Sequence, residues 1–149
     1  MTIDFVSYRP PRIAMLLLAI AATWQWLLPA PLLFRAPLAA ALLAIAGFTM
    51  MMRAWWQFRQ RRVAICPTEP TDDLITDGIY RLTRNPMYLG VVLMLAGVAL
   101  GVGTLPFALA GAAFFLVIEL AFCPHEEAKL AATFGEAYAD YRSKVSRWL

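Results

Sequence analysis

Two polar segments carry the side chains able to do chemistry. The first is Gly78-Ile79-Tyr80-Arg81-Leu82-Thr83-Arg84-Asn85-Pro86-Met87-Tyr88-Leu89-Gly90; the second is Glu126-Glu127-x-x-Leu130-x-x-x-Phe134-Gly135-x-x-Tyr138-x-x-Tyr141. Between them the only fully charged side chain is Glu119. Tyr80, Arg84, Asn85 and Tyr88 surround a helix start at Pro86, where unpaired backbone N–H groups attract anions. An arginine at such a place can hold a carboxylate or phosphate through paired hydrogen bonds. Taken alone, these residue types are also common at membrane interfaces. Glu126 and Glu127 can act on a bound cation, or simply complement a helix dipole for roughly 0.3–1 kcal/mol. Glu119 stands inside an apolar run, at a cost of roughly 2.5–3.5 kcal/mol near a bilayer centre. It calls for a partner, with Arg84, Arg53 or a bound cation as candidates; a snorkelling or interhelical hydrogen bond is the plain alternative. An uninterrupted helix would set Glu119 and Glu126 on nearly one face.

The elements that must position these groups follow from composition. Of 149 residues, 61% are hydrophobic and 15% charged, far more apolar than a soluble domain of this length. Three stretches lack any charge: Ile13 to Phe34, Ala36 to Met52 and Asn85 to Ile118. A bilayer-crossing helix needs roughly 17–25 apolar residues. The third stretch is long enough for two, with Gly101-Val102-Gly103-Thr104-Leu105-Pro106 as the break. The expectation is an all-α integral membrane protein with four transmembrane helices near 13–31, 36–56, 86–103 and 105–122. It forms a single membrane domain over 1–149, and its chemistry-bearing half is 75–149. The first apolar run is too long for the core of a signal peptide and reads as an uncleaved helix.

Orientation follows from the basic residues. With four spans, both termini and the 57–85 loop share one side. That side holds Arg9, Arg12, Arg53, Arg59, Arg61, Arg62, Arg81, Arg84, Lys129, Arg142, Lys144 and Arg147, leaving only Arg35 opposite. Both polar segments are therefore expected in the cytoplasm. The net charge of +3 is this topology signal. No aromatic-interleaved basic patch points to nucleic acid.

The loop with Pro67, Pro70, Glu69, Asp72, Asp73 and Asp77 is too short for a domain and should lie against the membrane face. Pro86 suits a first helical turn, where its missing donor is harmless. Gly97 and Gly101 have the small-xxx-small spacing of close helix contacts. After Pro124, apolar positions 130, 134, 138 and 141 recur at helical spacing, predicting an amphipathic interfacial helix interrupted near Gly135. Lys144, Arg147 and Trp148 suit an anchor at headgroup level. Cys66 and Cys123 face a reducing cytoplasm, so no structural disulfide is expected. With His125 the single histidine, no metal site is expected either.

The two motifs together, from Gly78 to Gly90 and from Glu126 through Tyr141 to Val145-x-Arg147-Trp148, resemble the isoprenylcysteine carboxyl methyltransferase and phospholipid methyltransferase superfamily. The resemblance covers about half the chain, near 75–149. It implies S-adenosylmethionine as cofactor, bound at the cytoplasmic membrane face. Carried over residue by residue, it implies a pocket lined by Tyr80, Arg84, Asn85, Tyr88 and Gly90. Glu126, Glu127 and the neighbouring His125 would close that pocket, with Tyr138 and Tyr141 in support. Arg84, Glu119 and Glu127 are the candidates for catalysis. Eukaryotic relatives carry histidine before the motif proline; Asn85 here is similar to the small bacterial members, whose substrates the resemblance leaves open. A bacterial inner membrane is the implied location.

The cofactor's chemistry agrees with these residue types. Glutamates suit its ammonium or ribose diol, arginine its carboxylate, and tyrosine faces its sulfonium. The acceptor would be a lipophilic or prenylated small molecule drawn from among membrane lipids. The resemblance puts carboxyl O-methylation of an isoprenylcysteine, or a related reaction, first, and that carboxylate is already ionised at neutral pH; the alternatives, a phospholipid amine or a thiol, need a base such as Glu119, Glu126 or His125. A non-catalytic membrane subunit of the same fold is the alternative from another class.

Overall fold

The computed structural model describes residues 10–61 and 73–149. Arg9, Arg62, Cys66, Pro67, Glu69, Pro70 and Asp72, used in the topology and loop readings, lie outside the described residues.

Prolines and glycines set the helix boundaries. Helix α1 spans Pro10–Leu27 and α2 Pro37–Arg61. The first ends short of the expected residue 31, because Pro29 and Pro31 cannot donate to a continuing helix. The second runs past its expected end near 56. Helix α3, Pro86–Val102, starts on its proline and closes on Gly103 at φ 77°, a left-handed cap. Helix α4 covers Leu105–Val117, widens into a π turn over Ile118–Phe122, and continues as α5, Cys123–Phe134. Pro124 therefore sits inside one continuous helical rod. The proline ring would meet the carbonyl four residues back in a regular helix, and the wider turn just before it relieves that clash. The interruption expected near Gly135 is present: its φ of 50° ends α5, and α6 follows over Glu136–Lys144.

Small residues decide the packing. A side chain at Gly90 of α3 would stand 2.6 Å from the Gly47 carbonyl of α2, and one at Gly97 2.7 Å from that of Ala40. So α2 and α3 meet backbone to backbone, while α1 lies along α4. Gly97 makes the close approach its spacing suggests; Gly101 has only ordinary contact with Ala40. Ala14, Leu95, Phe114, Ile118, Phe122 and Cys123 form one core. Ala54, Ile75, Tyr80, Tyr138 and Tyr141 form a second, joining α2, the 73–85 loop and α6.

The outside is apolar. Met15, Leu16, Leu38, Leu42, Ile45, Phe48, Leu116 and Leu120 are all exposed, a surface suited to lipid. Among the described residues, α2 and the continuous Leu105–Phe134 rod are long and apolar enough to cross a membrane. Helices α1 and α3, with 18 and 17 residues, rise only about 27 and 26 Å.

Candidate active site

The 73–85 loop, the first turn of α3, the α5–α6 bend and the 145–148 segment converge on one cluster. The loop is fixed first. Gln57 of α2 accepts from the Ile79 N–H at 3.2 Å and donates to the Asp77 carbonyl at 3.3 Å. Gly78, at φ 58°, turns the chain there into a short 3-10 helix, Gly78–Arg81. Tyr141 of α6 donates to the Tyr80 carbonyl at 2.7 Å, tying that turn to the α6 side.

Asn85 and Thr83 hold the loop to the far end of the chain. Thr83, fully buried, donates to the Arg147 carbonyl at 2.8 Å, and the Asn85 amide donates to the same oxygen at 3.3 Å. The Arg84 N–H donates to the Ser146 carbonyl at 3.0 Å. A segment expected at the headgroups is thus folded into the site.

A charge network occupies one side of α5. Glu127 is bridged at 2.9 Å by Arg84 Nη1, which also reaches the Tyr138 hydroxyl at 3.2 Å. Arg147 grips Glu127 as a fork, Nε to Oε1 and Nη2 to Oε2, both at 2.8 Å. Its Nη1 donates to Glu119 at 2.6 Å, and the Trp148 indole N–H donates to the other Glu119 oxygen at 2.8 Å. Glu119 is therefore partnered by Arg147 and Trp148; of the arginines expected there, Arg53 is exposed and Arg84 serves Glu127. The hydrogen bonds to Glu127, then to Glu119, raise the Arg147 pKa against the opposing effect of burial.

The π turn changes which glutamates share a face. A π turn takes up one residue more than an α turn. Glu119 consequently lines up with Glu127, not with Glu126 as an unbroken helix would require. Glu126 looks the other way and accepts a short hydrogen bond from the Tyr88 hydroxyl. Tyr80 belongs to this second side: burial, then the nearby Glu126 charge, raises its phenol pKa. Burial likewise raises Tyr138 and Tyr141. All three phenols stay neutral.

Of the residues singled out in the sequence, the fold brings together Tyr80, Arg84, Asn85, Tyr88, Glu119, Glu126, Glu127, Tyr138 and Tyr141. Gly90 faces Gly47 of α2, and His125 is exposed. Arg147, Trp148 and Thr83 join without having been singled out for chemistry. The available signal was Glu119, a carboxylate needing a cation, with Arg147 expected on the same side.

A test of fit to S-adenosylmethionine rests on an orphaned atom. Arg84 Nε is buried and has no hydrogen-bond partner among the described residues, in a side chain that is 90% shielded. Such a donor wants an acceptor, and the carboxylate of an amino-acid group supplies one. On the other side of the cluster, Tyr80, Tyr88 and Glu126 offer aromatic faces and a negative charge to a cationic ligand. The donor set fits the cofactor.

Comparison with known proteins agrees. Residues 36–137 match the family described as phospholipid methyltransferase. The chain is 34% identical over 143 residues to "Methanethiol S-methyltransferase 2" of Bradyrhizobium diazoefficiens, a match covering 87% of this chain and 54% of that protein. It is 37% identical over 75 residues to "Protein-S-isoprenylcysteine O-methyltransferase" of Schizosaccharomyces pombe, covering 48% of this chain and 30% of that protein. The chain thus spans about half, or less, of the length of these relatives. No solved structure matches. The family match takes in Tyr80, Arg84, Tyr88, Glu119, Glu126 and Glu127 of the cluster, while Tyr138, Tyr141, Arg147 and Trp148 lie beyond it, and the chain belongs to the phospholipid methyltransferase family.

Proposed function

We propose that this chain is a membrane methyltransferase that binds S-adenosylmethionine in the cluster above and methylates a lipophilic acceptor at the cytoplasmic face. In this reading α1 to α4 are four spans of a single membrane domain, α5 and α6 lie at the interface, and both termini are cytoplasmic, in an inner membrane. The observation that carries it is the buried Arg84 Nε, which has no hydrogen-bond partner among the described residues, in a cluster whose other side holds the Tyr88–Glu126 pair and Tyr80.

Bound there, the cofactor supplies an electrophilic methyl group on a sulfonium. Arg84 Nε binds a carboxylate, and Glu127 holds that guanidinium in place. Glu126 and the tyrosine faces attract positive charge. Tyr138, Tyr141 and the 145–148 segment shield the cluster from water, which strengthens these interactions. The chain's task is alignment, with no covalent nucleophile required.

For the acceptor, the likeness along most of the chain to a protein named for methanethiol favours a thiol. A thiol must lose its proton, and Glu126, already accepting from Tyr88, is the base the cluster offers. A second reading, favoured by the likeness to an isoprenylcysteine O-methyltransferase, is a prenylcysteine carboxylate, which needs an arginine to orient it and no base.

The test is incubation of the purified chain in lipid nanodiscs with methyl-labelled S-adenosylmethionine and separate thiols, prenylcysteine analogues and phospholipid amines. Label should enter one class. No label anywhere, together with no calorimetric binding of the cofactor or its demethylated product, sinks the enzyme reading and favours a non-catalytic subunit.

A further inference from the structure

We propose that Arg147 is a positioning residue of the cofactor site, acting through Glu127 to aim Arg84, and that the 145–148 segment is a built wall of that site. The inference rests on the cofactor reading above.

Arg84 could adopt many rotamers, since an arginine side chain has about 2 kcal/mol of conformational entropy to lose. Its aim is fixed at Nη1 by Glu127 and Tyr138, which leaves Nε as the unpaired donor. Glu127 in turn is fixed by Arg147, whose two parallel bonds of 2.8 Å set the carboxylate plane. A fork of this kind constrains orientation, where a lysine would constrain distance alone.

Arg147 is itself seated from two directions. Its carbonyl takes Thr83 and Asn85, on either side of Arg84 in sequence, so its backbone and side chain brace the same residue. Its third nitrogen takes Glu119, whose remaining oxygen takes Trp148, and Trp148 packs on Phe115 at 5.2 Å between ring centres. Glu119 is thereby the anchor of this segment on the α4 rod. With both oxygens occupied, its part in the site is to hold Arg147.

The experiment titrates S-adenosylhomocysteine calorimetrically into the full chain in nanodiscs, for wild type, Arg147→Ala, Arg147→Lys, Arg84→Ala and the Arg84→Ala/Arg147→Ala pair. Thermal midpoints are recorded alongside. Arg147→Ala should weaken binding roughly 10–100-fold, the range for losing a hydrogen bond to a charged group. Arg147→Lys should recover part of that loss, and Arg147→Ala should add little once Arg84 is gone. Wild-type affinity in both Arg147 variants overturns the proposal, as does full additivity in the double variant, which would mean Arg147 acts independently of Arg84. If Arg147→Ala does not fold, the lysine variant decides: unchanged affinity overturns, a weakened affinity with a wild-type midpoint supports. Absence of binding to the wild type removes the cofactor reading itself and this inference with it.

Discussion

Glu119, inside the π turn of the Leu105–Phe134 rod, and Glu127, in the helix that follows it, reach the same guanidinium, that of Arg147. In a regular helix, residues with this separation would be turned about 80° apart, since each residue advances about 100°. The π turn brings them to one side. Its extra residue also sends Glu126 away from this network and toward Tyr88. One local irregularity thereby turns two adjacent carboxylates to different partners, Glu127 to Arg84 and Arg147 and Glu126 to Tyr88.

Glu127→Ala should abolish labelled methyl transfer. It leaves Arg84 and Arg147 without their shared acceptor, and breaking a buried ion pair in this way destabilises by about 3–5 kcal/mol. The thermal midpoint should fall, with expression and membrane insertion retained. Wild-type turnover would remove Glu127 from the site.

Arg84→Ala separates binding from folding more cleanly, because it deletes the orphaned donor. Transfer should disappear and S-adenosylhomocysteine binding should weaken by one to two orders of magnitude, about the worth of a hydrogen bond to a charged group. Calorimetry on the purified variant checks this.

Tyr88→Phe removes one hydroxyl and nothing else, freeing Glu126 of its donor. Turnover should drop by roughly tenfold to a hundredfold with the thermal midpoint within a few degrees of wild type, the pattern of a lost charge-assisted hydrogen bond. Unchanged turnover would argue that the Tyr88–Glu126 pair is structural.

Gly90→Leu tests the scaffold rather than the chemistry. Its first side-chain atom would stand 2.6 Å from the Gly47 carbonyl and 3.0 Å from the Met51 backbone nitrogen, so α2 and α3 must part. A loss of about 1–3 kcal/mol is expected, read as a lowered melting temperature in detergent. Gly135→Ala should lose a similar amount for a different reason: nothing lies within 4 Å, but φ of 50° with ψ of −120° suits glycine alone.

Much of the fold was legible in the chain itself. Charge-free runs, prolines at helix starts and Gly103 and Gly135 at helix ends are local features, and each acts on its own few residues. The start of α3 at Pro86 and the interruption at Gly135 followed from them directly. The two motifs also showed which side chains would gather, because a hairpin between two polar segments returns them to one side.

What the tertiary structure alone decided is who partners whom. Nothing local marks Ile118–Phe122 as a π turn, since its residues are ordinary helix formers and the strain originates at Pro124 beyond them. Without that turn Glu119 would share a face with Glu126; with it, Glu119 faces Arg147. Equally, Arg147 and Trp148 have the composition of a headgroup anchor, and composition is blind to where a segment returns. Their seat depends on carbonyls and carboxylates contributed by Thr83, Asn85, Glu119 and Glu127, far off in sequence. A buried charge is stable only where such partners converge, and convergence is a property of the packed helices, not of any stretch of the chain.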